Sequence, residues 1–240
     1  MFGKWSIQQA EYSDQTKHLL CSLMEAFCRI FGYDTMHNQD CIIYNDPESP
    51  CPYFFHALPL KIRLSQSSLN YWSQTVYQLS HEMCHFALHQ TRGNTNVTLS
   101  WFEEIICEAM SLYSLDYIAN NWSRCKLSQW NPGFYKSHKT YLDDLLAKSC
   151  TKELELCNTV TKLKNYEKNK TAENKRSGHR HQRNQVYRAI VDSPMDVRYL
   201  LDYRKYLQSN GVTIDFDKWL ADTPCKLIKA LQAAQPVKVL

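Results

Sequence analysis

From Trp72 to Phe86 the apolar residues Trp72, Val76, Leu79, Met83 and Phe86 recur at spacings of four and three, the stripe of an α-helix that rests on a core. The opposite side of that helix carries the two histidines of His-Glu-Met-Cys-His, residues 81–85. Each helical residue advances about 100° around the axis, so His81 and His85 stand one turn apart on nearly one face and can converge on a single ion. Glu82 is offset from the line joining them. A carboxylate there reaches a water beside the ion without displacing it, which is what a general base requires. The sequence thus predicts a helix from about Leu69 to Gln90, one face for a core and one for a cleft, stopped by Thr91-Arg92-Gly93-Asn94.

Nineteen positions beyond His85 comes Glu104, within Trp101-Phe102-Glu103-Glu104, and Glu108 lies one helical turn later. Ser100 and Glu103 read as a capping box that starts a second helix at Trp101 and carries it to about Ala119. In that helix Glu104 falls in the first turn, with Glu108 behind it on the same face.

These residues, within about 60–119, resemble the gluzincins, the HExxH metallopeptidases whose third zinc ligand is a glutamate on a downstream helix. In thermolysin-like and aminopeptidase-like members that glutamate lies roughly twenty residues past the second histidine, often in a Trp-x-x-Glu context. In several branches an acidic residue four positions later orients a zinc-binding histidine. The resemblance therefore implies His81, His85 and Glu104 as metal ligands, Glu82 as the catalytic base and Glu108 as the orienting carboxylate. A competing register makes Glu108 the ligand, since Glu108-Ala109-Met110-Ser111 also looks like a thermolysin-type context. That register leaves Leu112 at the orienting position, where it cannot accept from an imidazole N–H. Cys107 stands where related sequences often have alanine.

Cys84 flanks the two histidines on the side away from Glu82, and a thiolate is also a zinc ligand. As a ligand it would close the site, with no position left for a reactive water. It is read instead as a small buried hydrophobe.

The implied function is a zinc-dependent peptidase with one Zn2+ per chain, in which Glu82 takes the proton of the attacking water and delivers it to the leaving amine. The partner is a protein or peptide substrate, cut with narrow, regulatory specificity. Gluzincins add a tyrosine, histidine or arginine to bind the oxyanion; Tyr187, Tyr199, His138, His179 and His181 are open candidates. The alternative, from another class, is a non-catalytic, metal-stabilised module that binds protein or nucleic acid.

Composition narrows the setting. The 44% hydrophobic content is that of a globular protein, and no run approaches the eighteen or so apolar residues of a membrane span. The stretch from Met1 to Ala10 lacks the apolar core of a secretory signal, and ten scattered cysteines without a Cys-x-x-Cys pair suit reduced thiols; a cytoplasmic location is expected. The net charge of +4 is concentrated: Lys162 to Arg183 holds eight Lys/Arg against Glu167 and Glu173, a local +6. Residues 165–181, in a segment of about 164–183, read as a mobile basic loop. Only Tyr166 is available there for base stacking, so no nucleic-acid partner is expected.

The fold class is α+β, predominantly helical, with a small sheet edge before the motif helix. A first helix runs from Ser13 or Asp14 to Phe31 on Leu19, Leu20, Leu23, Phe27 and Ile30, and Gly32 ends it. Residues 41–44 and 60–64 are the strands. By the resemblance, 60–64 is the edge on which a substrate backbone pairs by strand addition. Helices are expected at about 138–165, 183–209 and 216–233, the last interrupted at Thr223-Pro224. Residues 1–120 would form the catalytic core and 121–240 a helical part packing on it.

Overall fold

Alternation sets the sheet. In a computed structural model, strands β1 (Trp5–Ile7), β2 (Cys41–Asn45), β3 (Tyr53–Phe55) and β4 (Leu60–Leu64) form one mixed sheet in the order β1-β2-β4-β3. The structure describes residues 5–8, 13–92, 98–168 and 177–237. β1 and β2 run parallel, as do β2 and β4, while β3 is antiparallel to β4. Trp5, Cys41, Ile43, Phe54, Leu60, Ile62 and Leu64 are buried on one face. Strand β4 therefore lies inside the sheet and not at its edge, contrary to the expectation for 60–64. β1 and β3 stand at the two ends of the strand order. Both edge strands are only three residues long, too short for a period-2 pattern to stand out, and they exist because β2 and β4 offer them partners.

Helix α1 (Ser13–Phe31) buries Leu19, Leu20, Leu23, Phe27 and Ile30 to 2% exposure or less, as its stripe predicts. Gly32 stops it with φ +95, a left-handed backbone that L side chains resist, and its N–H donates to the Cys28 carbonyl at 3.0 Å. After the short α2 (Tyr33–Met36), the motif helix α3 (Trp72–Gln90) packs on α1 and on β3 and β4. Phe86 meets Trp5 at 4.6 Å and Phe54 at 5.9 Å between ring centroids. The next helix, α4 (Ser100–Asn120), belongs by its contacts to both compact units of the chain, Met1–Gln90 with Met110–Ala147 and Thr91–Ala109 with Lys148–Leu240.

Helix α5 (Tyr135–Ala147) completes the first unit. It ends well before the expected 165, in a turn-rich stretch where Lys152 takes a φ of 56, and α6 (Val160–Lys168) begins beyond Thr159, whose Oγ1 accepts from Lys162 N–H. Helix α7 (Arg180–Asp192) starts inside the segment read as a loop. Of that segment, 165–168 and 177–181 are ordered, and 169–176 lie outside the described residues. Pro194 ends the α conformation at Ser193, so Pro194–Tyr206 continues as a 3-10 helix. Pro224 likewise separates α8 (Phe216–Asp222) from α9 (Lys226–Ala234). Trp101, Phe102, Tyr203 and Trp219 form an aromatic core in the second unit, with Tyr206 stacked on Trp219 at 5.1 Å. Among the described residues no helix is long and apolar enough to cross a membrane.

His138 on α5 is a core histidine. Its Nδ1 pairs with Ser73 Oγ at 3.0 Å, and Trp122 and Phe134 rings surround it at 5.1 and 5.0 Å. Burial holds its pKa down at about 4, from 6.5. The unfolded chain protonates this ring below its own pKa while the folded protein refuses the proton until about pH 4. The stability is therefore fully present above the unfolded pKa and is lost as pH falls through that window, by about 3 kcal/mol. In His138→Phe the loss of urea stability between neutral pH and about pH 4.5 should shrink by roughly 2–3 kcal/mol. An unchanged difference would mean that the ring is not buried neutral.

Candidate metal centre

Helix α3 is fixed in place before its motif begins. The Gln78 side chain clamps the backbone of Ser65, just past β4, accepting from Ser65 N–H and donating to the Ser65 carbonyl, both at 2.9 Å. One turn later the His81 and His85 rings stand 5.0 Å apart at 69°. Burial is more complete than a helix with one open face would give. His81 and Glu82 are each 3% exposed, and only His85 within the motif is half-buried.

Glu104 lies just past the first turn of α4, which holds Glu103. The helix begins at Ser100, one residue before the expected start, and its capping is tertiary. Trp101 N–H donates to Glu167 Oε1 at 2.6 Å, while Glu103, expected in a capping box, accepts from the Tyr203 hydroxyl and from Arg204 Nη2 at 2.8 Å. A carboxylate at a helix N-terminus is favoured by the exposed N–H groups and the helix dipole, and here a residue far along the chain supplies it. Trp101 Nε1 donates to the Val212 carbonyl at 2.9 Å, which fixes the same turn.

The donor atoms of His81, His85 and Glu104 all lie within 4.8 Å of one another. Two imidazoles and one carboxylate are the donor set of many catalytic zinc sites, and three protein ligands leave a fourth position open. Cys84 is fully buried and is not in this group. By type and spacing the three donors could hold a metal ion.

Glu108, fully buried, lies 3.6 Å from both His179 Nε2 and Arg183 Nη1. Those two residues are themselves only 1% and 2% exposed. The Tyr166 hydroxyl stands 3.4 Å from His179 Nδ1, and Arg183 donates to Asn184 Oδ1 from Nε at 3.0 Å and from Nη2 at 2.8 Å. A carboxylate this deep is tolerated where cationic and N–H groups surround it. Burial pushes the Tyr166 phenol above its usual range, so it is neutral.

The candidates for binding the oxyanion separate clearly. His138 belongs to the core around α5, and Tyr199 and His181 are exposed. Tyr187 is half-buried on α7, and His179 lies against Glu108. Sequence reasoning misses Arg183 altogether, because there it counts as one charge of a solvated loop. Its spacing of four from His179 on one helix face is the available signal.

Comparisons with models of protein families, with curated proteins and with solved structures find no match for this chain.

Proposed function

We propose that the chain is a zinc-dependent peptidase of gluzincin type, acting in the cytoplasm on a narrow set of protein or peptide substrates. The observation that carries the reading is the convergence of the His81, His85 and Glu104 donors, with the buried carboxylate of Glu82 in the same helical turn. His81, His85 and Glu104 would hold the ion, which supplies Lewis acidity that polarises water and the scissile carbonyl. Glu82 accepts the proton of the attacking water and returns it to the departing amine. Glu108, Arg183 and His179 hold the turn of α4 that bears Glu104. The reducing cytoplasm suits free thiols such as Cys41, Cys84, Cys107, Cys125 and Cys157, which are buried as small apolar groups.

Elemental mass spectrometry tests the ligand set. The purified wild type should carry about one zinc per chain, Glu104→Ala none, and Glu108→Ala a bound but weakened ion, with affinity lower by roughly 10–100-fold. The reverse ranking would make Glu108 the ligand, and a wild type that binds no added zinc would end the metallopeptidase reading.

A second reading is favoured by one observation, the near-complete enclosure of His81 and Glu82. A site so enclosed also suits a metal that only stabilises the fold, and a metal-stabilised interaction module would have no need of turnover. The role of Glu82 separates the two.

A further inference from the structure

The sheet has a second face, and it is not apolar. On the side away from the core, ladder registration brings Ser6, Ile42, Lys61 and Phe55 into one row and Tyr44, Arg63 and Tyr53 into the next. All seven are exposed or half-buried, Tyr53 at 46%. Tyr44 and Phe55 lie nearly parallel, 6.4 Å apart at 28°, and Tyr53 meets Phe55 edge-on at 4.9 Å. The Arg63 guanidinium stands 5.5 Å from the Phe55 ring centre, and its Nη2 donates to the Cys51 carbonyl at 3.4 Å. No carboxylate occurs among the strand residues of this face, and among the described residues neither Lys61 nor Arg63 is in an ion pair.

We propose that this face of the sheet binds single-stranded nucleic acid, with bases stacked on Tyr44, Tyr53 and Phe55 and phosphates beside Lys61 and Arg63.

Two features select that occupant. Unpaired cations set among aromatic rings call for a ligand that is anionic and flat at once, and a strand with splayed bases offers phosphates and π-faces together. The core of a protein–protein interface is, by contrast, depleted of charge. A duplex fits poorly, because its bases are already stacked on one another and present no free face to a ring. In the basic segment 162–183 only Tyr166 offers a ring.

Fluorescence anisotropy tests the assignment on the full chain, with a labelled oligouridine of about twelve nucleotides as the probe. Duplex RNA and an oligoglutamate of equal charge serve as comparisons. The oligouridine should bind more tightly than either, and Tyr53→Ala and Phe55→Ala should each weaken it by about five- to a hundredfold. Tyr53→Phe should keep binding, since the ring remains. Tyr53 is the more exposed of the two, so its alanine variant reads stacking even where Phe55→Ala disturbs the fold. A combined Lys170→Ser, Lys175→Ser and Arg176→Ser variant should bind as the wild type does. The proposal is overturned by any of three results: no binding, equal binding of the oligoglutamate, or a loss confined to the Lys170/Lys175/Arg176 variant.

Discussion

Glu82→Gln is expected to leave the zinc content at about one per chain and to lower turnover by roughly 10²–10⁴-fold, the usual contribution of a positioned general base. Glutamine fills nearly the same volume and keeps a hydrogen-bonding oxygen, so the fold and the three metal donors should be undisturbed. It cannot take a proton from water. In the free-energy scale of rates, the loss corresponds to about 3–5 kcal/mol of transition-state stabilisation. The assay should use a broad peptide mixture read by mass spectrometry, because an enzyme of narrow specificity would leave casein largely intact. Cleavage products that appear with the zinc-loaded wild type and vanish with Glu82→Gln support the peptidase. A zinc-loaded wild type that generates no product, or products unaffected by the substitution, favours the non-catalytic module.

Arg183→Ala should be among the most destabilising single changes in the molecule, at about 3–5 kcal/mol in urea unfolding. Glu108 has no exposure to water, and the Arg183 guanidinium, 3.6 Å away, is the permanent positive charge beside it. Removing that charge leaves a carboxylate in a low-dielectric setting beside the His179 imidazole, also at 3.6 Å. The penalty comes from the stranded charge, so removing both partners should be milder than removing one. A Glu108→Met, Arg183→Met double variant should recover more than half of the lost stability. A loss below about 1 kcal/mol for Arg183→Ala would show that the pair contributes no more than a surface salt bridge. Because α4 carries Glu104 one turn before Glu108, Arg183→Ala should also weaken zinc retention, whereas the double variant separates this positioning from mere unfolding.

The elements legible in the sequence are those with long, regular patterns. α1 carries five core positions at helical spacing over nineteen residues, and its ends match Ser13 and Gly32 within a residue. α3 is similarly long and periodic, and β4 alternates buried and half-buried residues over five positions. Shorter or interrupted elements are less legible. β1 and β3 leave no pattern of their own, and the expected helices across 138–165 and 183–209 are each broken where a turn or Pro194 removes the backbone bonds a helix needs.

At the candidate site the division has the same physical basis. The relation of His81, Glu82 and His85 is set by the pitch of a single helix, so three residues in five suffice to determine it. Local sequence also places Glu104 and Glu108 one turn apart on one face, and their ranking rests on the resemblance. Only the tertiary structure decides that Glu104 donor atoms approach the two histidines, that Glu167 rather than a local serine caps the helix bearing Glu104, and that Arg183 and His179 surround Glu108. The same holds for the sheet face, where Tyr44, Tyr53, Phe55, Lys61 and Arg63 are scattered along the chain and gathered by strand pairing. Spacing along one helix is fixed by covalent geometry and backbone hydrogen bonds. Contacts between distant segments are fixed by which surfaces the whole chain can bury together, and no window of sequence contains that information.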